Sequence, residues 1–430
     1  MTLGERIDSL TLVNLENKNV EVRRLAAGEY SSAEPASGFR YEVKLDPPSL
    51  SDDAAHISWL TADRGLLMLG DLLPVVAPDK SLASFPATVS LDLPELWRVS
   101  SGEKQTGGGQ FEVSDSENAI FFVSRDLLQI SSTVRGLRFN LVSTGAWAFS
   151  SKELLTQAEN ILESYADAVG SMPGESAVLI LSPFPRPEGA QRWSAETRGS
   201  AVVLLSGLQP SKTAALVELS VPLTHELFHL WVPNGLALDG DYDWFYEGFT
   251  IYQAIRTGQR LNLLSFQDLL NAVARSFDTY SAVAQRDQLS LVEASQRRWT
   301  SSPSLIYQKG MLIAFIYDLT LRNTSRNKRS LDDVYKEIFR AHHRGMKTAI
   351  GNEVVINALS ALPGMQSFAN RYVQNPASID LSQSLAGFGL QVEKIGLRTR
   401  ISVAPSLSRE QRDLLRRLGY NSETNRPGHK

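Results

Sequence analysis

Along residues 1 to about 148, apolar and polar positions alternate or gather into short β-branched runs: SLTLVNL, GFRYEVKL, PATVSLDLP, AIFFVS and LRFNLVS. Clusters of Gly, Pro, Asp and Ser separate them, which predicts short strands joined by turns. TGGGQ, at 106–110, lies among them. It lacks the Lys-Ser/Thr pair of a phosphate-binding loop and reads as a hairpin turn. At Ser150 the period changes. Ser150 and Glu153 have capping-box spacing, and Leu154, Leu155, Ala158, Ile161, Leu162, Tyr165 and Val169 then keep one apolar face. Two strand-like runs follow, SAVLILSPF and SAVVLLSG, and the pattern to about residue 375 is mostly helical. It includes 305–321 and a helix opening at Ser330, with Asp333 completing the capping signal. The last 50 residues carry an apolar stretch, SLAGFGLQVEKIGL, and a short amphipathic helix after Ser408.

These periods predict an α+β, multidomain chain. A β-sandwich-like domain is expected over 1–148 and a mainly helical domain with a small mixed sheet over 149–380. A short extension follows over 381–430. A length of 430 residues suits two or three domains. The net charge of −4 offers no basic field for nucleic acid or anionic lipid, and the basic run RNTSRNKRS reads as a solvated interhelical loop. No run approaches the roughly 20 apolar residues of a membrane span. The first residues include acids and lack the apolar core of a signal peptide. As written, the chain is expected in the cytoplasm, and in the periplasm or outside the cell only as a processed or trimmed form. The oligomeric state has no signal.

Cysteine is absent. Disulfides and thiolate catalysis are excluded, and any metal must rest on His, Asp or Glu. Against that background THELFHLWVP stands out, because it holds two of the six histidines. His225 and His229 are four apart, so in a helix they share a face and can aim at one ion. Glu226 follows the first and can reach water at that ion, which is the physical content of H-E-x-x-H. Both histidines lie in an apolar setting, LFHLW, rather than a charged one. A third donor, Glu247, stands in DWFYEGFT after 17 intervening residues, enough for a helix end, a loop and the start of a second helix. Two His and one Glu leave a fourth tetrahedral position open, the mark of a catalytic rather than a structural zinc. Asp241 and Asp243 can hold a ligand imidazole or serve as loop and N-cap residues. Both readings stay open.

HELFHLW followed by WFYEGFTIY resembles the thermolysin-like (gluzincin) metallopeptidases whose third ligand is Glu, and more narrowly the glycyl aminopeptidase family. IYQKGMLIAFIYDLTLR matches that family's Tyr-x-Lys-Gly helix, and NKRSLDDVYKEIF its Ser-Leu-Asp-Asp segment. RWSAETRGSAVVLL corresponds to the strand Gly-Leu-Glu-His-x-x-Ser that precedes the metal helix. The resemblance spans about residues 40 to 395. It implies one zinc per chain, a peptide or protein substrate and a thermolysin-like catalytic domain. It also implies two roles. The Tyr307 hydroxyl would stabilise the oxyanion formed when water attacks a peptide carbonyl. Glu196 would bind the free α-amino group that distinguishes an aminopeptidase substrate. Trp231 and Trp244 are expected to pack around the site rather than touch substrate.

The chain departs from the family pattern at Thr197, where the family has His, and at Ser194-Ala195, where it has Gly-Leu. The residues after LAGFGLQVE are too few for the PDZ domain that many members carry. The reading is an aminopeptidase removing small N-terminal residues such as Gly or Ala. The alternatives are an endopeptidase on the same scaffold and a catalytically inactive binding platform.

Overall fold

The short alternating runs of the N-terminal third pair into small antiparallel sheets in the computed structural model, which describes residues 3–74, 85–186, 192–300, 302–362 and 364–421. β1 (Arg64–Met68) and β2 (Ile120–Ser124) form the centre of a four-stranded sheet, with Trp59–Leu60 and Arg98–Ser101 at its edges. β2 is buried at every position because successive side chains point to opposite faces and both faces are covered. Ile120 and Phe122 join Trp59, Leu66 and Met68 in one core, while Phe121 packs with Phe111 and Val113 in another. TGGGQ is the hairpin turn the sequence predicts, joining Lys104–Gly107 to Gln110–Val113. Gly107, Gly108 and Gly109 all have positive φ (133°, 54° and 79°), which only glycine adopts without strain.

SAVLILSPF and SAVVLLSG become β3 (Ser176–Pro183) and β5 (Ala201–Ser206), paired in parallel, with β4 (Trp193–Arg198) antiparallel to β5. The sequence expectation set a small mixed sheet within the mainly helical domain over 149–380. The chain divides into two compact units, and the sheet of β3, β4 and β5 belongs to the first, which comprises Met1–Ser131, Phe139–Trp147 and Ser176–Gln209. The second comprises Ser132–Arg138, Ala148–Glu175 and Pro210–Lys430. The units therefore interleave along the sequence on both sides of residue 148, and residues 381–430 group with the second.

The second unit is mainly helical. α1 (Ser151–Val169) opens with the Ser150–Glu153 capping box. α2 (Lys212–His229) follows a Ser211 cap. A π-helical turn, Trp244–Phe249, runs into α3 (Thr250–Arg260), followed by α4 (Phe266–Ser281) and α5 (Leu291–Gln296). A second π-helical turn, Leu305–Lys309, runs into α6 (Gly310–Thr324). α7 (Leu331–His342) starts where the Ser330 amide donates to the Asp333 carboxylate at 2.8 Å. The apolar stretch near the C-terminus closes a short helix, Leu381–Ala386, and enters a hairpin of β6 (Leu390–Ile395) and β7 (Arg398–Val403).

Asp318 in α6 ties three of these helices together. It accepts from the Tyr252 hydroxyl (2.6 Å), Arg322 Nε (2.9 Å) and the Leu331 amide (2.8 Å), so a carboxylate that is 1% exposed has its hydrogen bonds satisfied. The helix predicted after Ser408 is Arg409–Arg417. Arg256 donates to the carbonyls of Arg417 (3.2 Å) and Leu418 (3.0 Å), supplying partners for a helix end. No helix among the described residues is long and apolar enough to cross a membrane.

Candidate metal centre

α2 carries both histidines, and its neighbours set its rotation. Leu219, Leu223, Leu227 and Phe228 are fully or almost fully buried. The Phe228 ring lies between those of Tyr165 (4.8 Å) and Tyr335 (5.0 Å). The Tyr165 hydroxyl donates to the Thr224 carbonyl at 2.5 Å, one residue before His225. With that face packed, His225 and His229 project from one side of the helix a turn apart, their Nε2 atoms 3.0 Å from one another. His229 Nδ1 lies 2.8 Å from the Val232 carbonyl. A carbonyl can only accept, so Nδ1 carries a proton, and Nε2 is the atom turned toward the other candidate ligands.

Glu247 comes from the Trp244–Phe249 turn. π-helical turns recur at functional sites because the extra residue re-aims a side chain. His225 Nε2 and His229 Nε2 are 3.0 Å apart, and Glu247 Oε2 is 3.6 Å from each. A zinc ion with bonds of 2.0–2.1 Å in tetrahedral geometry separates its ligand atoms by about 3.4 Å. The observed spacings bracket that value, and among the described residues these three form a group able to hold a metal. Electrostatics agree. Burial alone would depress the His229 imidazole, but the Glu247 carboxylate holds it up at about 9. Burial would raise Glu247, yet the two imidazoles hold it well below the usual carboxylate range. The site attracts positive charge.

Glu226 is buried on the same helix. Tyr307 lies on the Leu305–Lys309 turn, and the two π-helical turns cross at glycines. A Cβ on Gly310 would stand 2.7 Å from the Trp244 carbonyl oxygen. The glycines of EGFT and YQKG are therefore explained by backbone contact, which draws the turn of Tyr307 against the turn of Glu247. Arg298 spans the two, with Nη2 3.4 Å from Glu247 Oε1 and 3.5 Å from the Tyr307 hydroxyl.

The carboxylates considered for a ligand imidazole have other surroundings. The Val232 carbonyl accepts from His229 Nδ1, and Asp241 is exposed, its backbone carbonyl accepting from Asn352 Nδ2 at 2.7 Å. Asp243 accepts from the Tyr246 hydroxyl at 2.6 Å and from Arg298. Trp231 and Trp244 are fully buried, their indole N–H groups donating to Ser171 and Asn352.

Glu196 lies on β4 in the first unit, with both carboxylate oxygens engaged. Oε2 is 2.6 Å from His56 Nδ1, and Oε1 accepts from Arg198 Nε at 3.1 Å. Ser194 brings His56 there, because its hydroxyl donates to the Asp52 carbonyl (2.8 Å) and accepts from the Ala55 amide (3.1 Å). Desolvation opposes ionisation of Glu196, but His56 and Arg198 hold its carboxyl below the ordinary value. The sequence reading missed both His56 and Arg298. Each stands far along the chain from its partner, in a stretch with no distinguishing spacing.

Comparison with known proteins follows the same lines. The family model for the M61 glycyl aminopeptidases matches residues 237–313, the segment holding Glu247, Arg298 and Tyr307. Among curated proteins, none matches in sequence. Among solved structures, an aminopeptidase N family protein from Idiomarina loihiensis superposes with a TM-score of 0.73 at 20% identity, over 91% of this chain and 72% of that one. An M1 zinc metallopeptidase from Deinococcus radiodurans gives 0.56 at 12% identity, over 87% and 85%. A mutant of that enzyme bound to a Tyr-Ser-Ala substrate gives 0.55 at 12%, over 84% of each chain. The family match and the shared fold support a peptidase. The chain resembles the glycyl aminopeptidase family in sequence and the aminopeptidase N and M1 zinc metallopeptidase structures in fold.

Proposed function

We propose that this chain is a zinc-dependent aminopeptidase that removes small N-terminal residues, Gly or Ala, from peptides. The observation that carries the metal reading is the set of three ligand atoms, two imidazole and one carboxylate, at spacings of 3.0, 3.6 and 3.6 Å. His225, His229 and Glu247 would hold the ion. Bound there, zinc supplies Lewis acidity that polarises a carbonyl and brings the pKa of water toward about 7. Glu226 removes a proton from the attacking water and returns it to the leaving amine, one carboxylate acting first as base and then as acid. The Tyr307 hydroxyl donates to the oxyanion of the tetrahedral intermediate. Glu196 receives the substrate's α-ammonium, the role the family resemblance implies.

One observation favours an endopeptidase instead. His56 and Arg198 already engage one site on each oxygen of Glu196 and offset its charge, which weakens its attraction for an incoming ammonium. Hydrolysis of Gly- and Ala-p-nitroanilide, measured beside an N-blocked peptide, separates the readings, and cleavage of the blocked peptide alone removes the aminopeptidase claim. Metal analysis after purification in zinc-containing buffer should give one equivalent of zinc. Glu226→Gln should retain the metal and lose roughly 100-fold or more in kcat. Unchanged hydrolysis in that variant would refute the mechanism.

A further inference from the structure

We infer that Arg298 is a positioning residue that presents one chosen oxygen of Glu247 to the metal and holds Tyr307 beside it. The inference rests on the zinc reading of this site. The two oxygens of Glu247 are divided. Oε2 faces both imidazoles at 3.6 Å, while Oε1 faces Arg298 Nη2 at 3.4 Å. A carboxylate free to rotate can bind an ion through either oxygen or both. One whose second oxygen is engaged by a cation offers one oxygen in one direction.

The same Nη2 lies 3.5 Å from the Tyr307 hydroxyl. A guanidinium has donors only, so at this contact the phenol oxygen accepts, and its own hydrogen points away from the arginine. The other prong is anchored. Nη1 donates to Asp243 and to the Tyr246 hydroxyl at 2.9 Å, and Asp243 is 4% exposed. The backbone brings Arg298 there because Ser295, at the end of α5, accepts from the Trp244 amide at 3.0 Å, pinning that helix end to the turn of Glu247. A rigid two-pronged donor is needed, which Arg supplies and Lys, a point charge on a flexible stem, does not.

The test compares zinc affinity, by competition with a metallochromic chelator, and steady-state kinetics in the wild type, Arg298→Met and Arg298→Lys. Circular dichroism checks folding. Arg298→Met is expected to bind zinc about 10-fold or more weakly, within the range for partners that orient metal ligands. With saturating zinc its kcat falls while KM stays within about twofold, and added methylguanidine restores part of the loss. Wild-type zinc affinity and kcat in Arg298→Met overturn the inference. If that variant does not fold, the same result in Arg298→Lys overturns it. A wild-type chain that takes up no zinc overturns the metal reading and this inference together. A chain that binds zinc but hydrolyses nothing overturns only the peptidase reading, and the affinity comparison still decides the role of Arg298.

Discussion

Gly248 and Gly310 meet backbone to backbone: a Cβ on Gly248 would lie 2.5 Å from the Gly310 Cα and 2.7 Å from the Ile306 carbonyl oxygen. Both are main-chain atoms, so no side-chain rotation relieves the clash. Gly310→Ala is therefore expected to spread the two π-helical turns and move Tyr307 relative to Glu247. A displacement near 1 Å costs on the order of 100-fold in rate, and overpacking costs about 1–3 kcal/mol in stability. Kinetics and thermal melting of Gly310→Ala check this. Wild-type kcat/KM would show that the crossing tolerates a methyl group and does not set the site.

Lys309 is fully buried, with Nζ 3.4 Å from the Arg286 carbonyl and 3.5 Å from that of Leu289. Burial lowers its pKa to about 8, against a smaller opposing effect of Asp287. The unfolded value is about 10.4, so between those values the unfolded chain binds more protons and stability rises with pH. Lys309→Met removes this dependence. Urea unfolding should show the wild type gaining on the variant from pH 8 to 10, and a difference that stays flat across that range would contradict the assignment.

Asp278 in α4 holds the C-terminal hairpin. It accepts from the Thr399 amide (2.9 Å), the Thr399 hydroxyl (2.5 Å) and Lys394 Nζ (2.9 Å). Desolvation raises its pKa, but these donors bring it below the ordinary value. A lowered carboxyl stabilises above about pH 3.9 and loses that contribution as pH falls through its folded value. Asp278→Asn should cost on the order of 1 kcal/mol at pH 7, with faster hydrogen exchange at the Thr399 amide. The cost should shrink in acid. Unchanged exchange at Thr399 would show that the hairpin is held by packing alone.

Glu196→Ala is expected to lower kcat/KM on Gly-p-nitroanilide by about 10-fold or more, a charged partner being worth roughly 1.5–3 kcal/mol, and to spare an N-blocked peptide. Equal losses on both substrates would assign Glu196 to the structure of the first unit rather than to the amine.

The metal helix was legible in the sequence because its geometry is local. His225 and His229 are one turn apart in any α-helix, and the apolar residues between them bury one face wherever the helix packs. The caps at Ser150, Ser330 and Ser408 were legible for the same reason, each resting on residues three apart. The hairpin at TGGGQ followed from what glycine permits. Glu247 and Tyr307 needed the family resemblance or a spacing argument, because their approach depends on two glycines 62 positions apart, Gly248 and Gly310, whose packing no local period encodes.

Arg298 and His56 were invisible. Each acts through contacts 51 and 140 residues away along the chain, and a surface-like arginine or histidine looks the same in sequence whether it meets water or a buried carboxylate. The sequence by itself determined the helices, their caps and the candidate metal-ligating side chains, since these rest on period and chemistry. Only the tertiary structure decided which oxygen of Glu247 faces the imidazoles and what already occupies Glu196, since those depend on elements that meet only when the chain is folded.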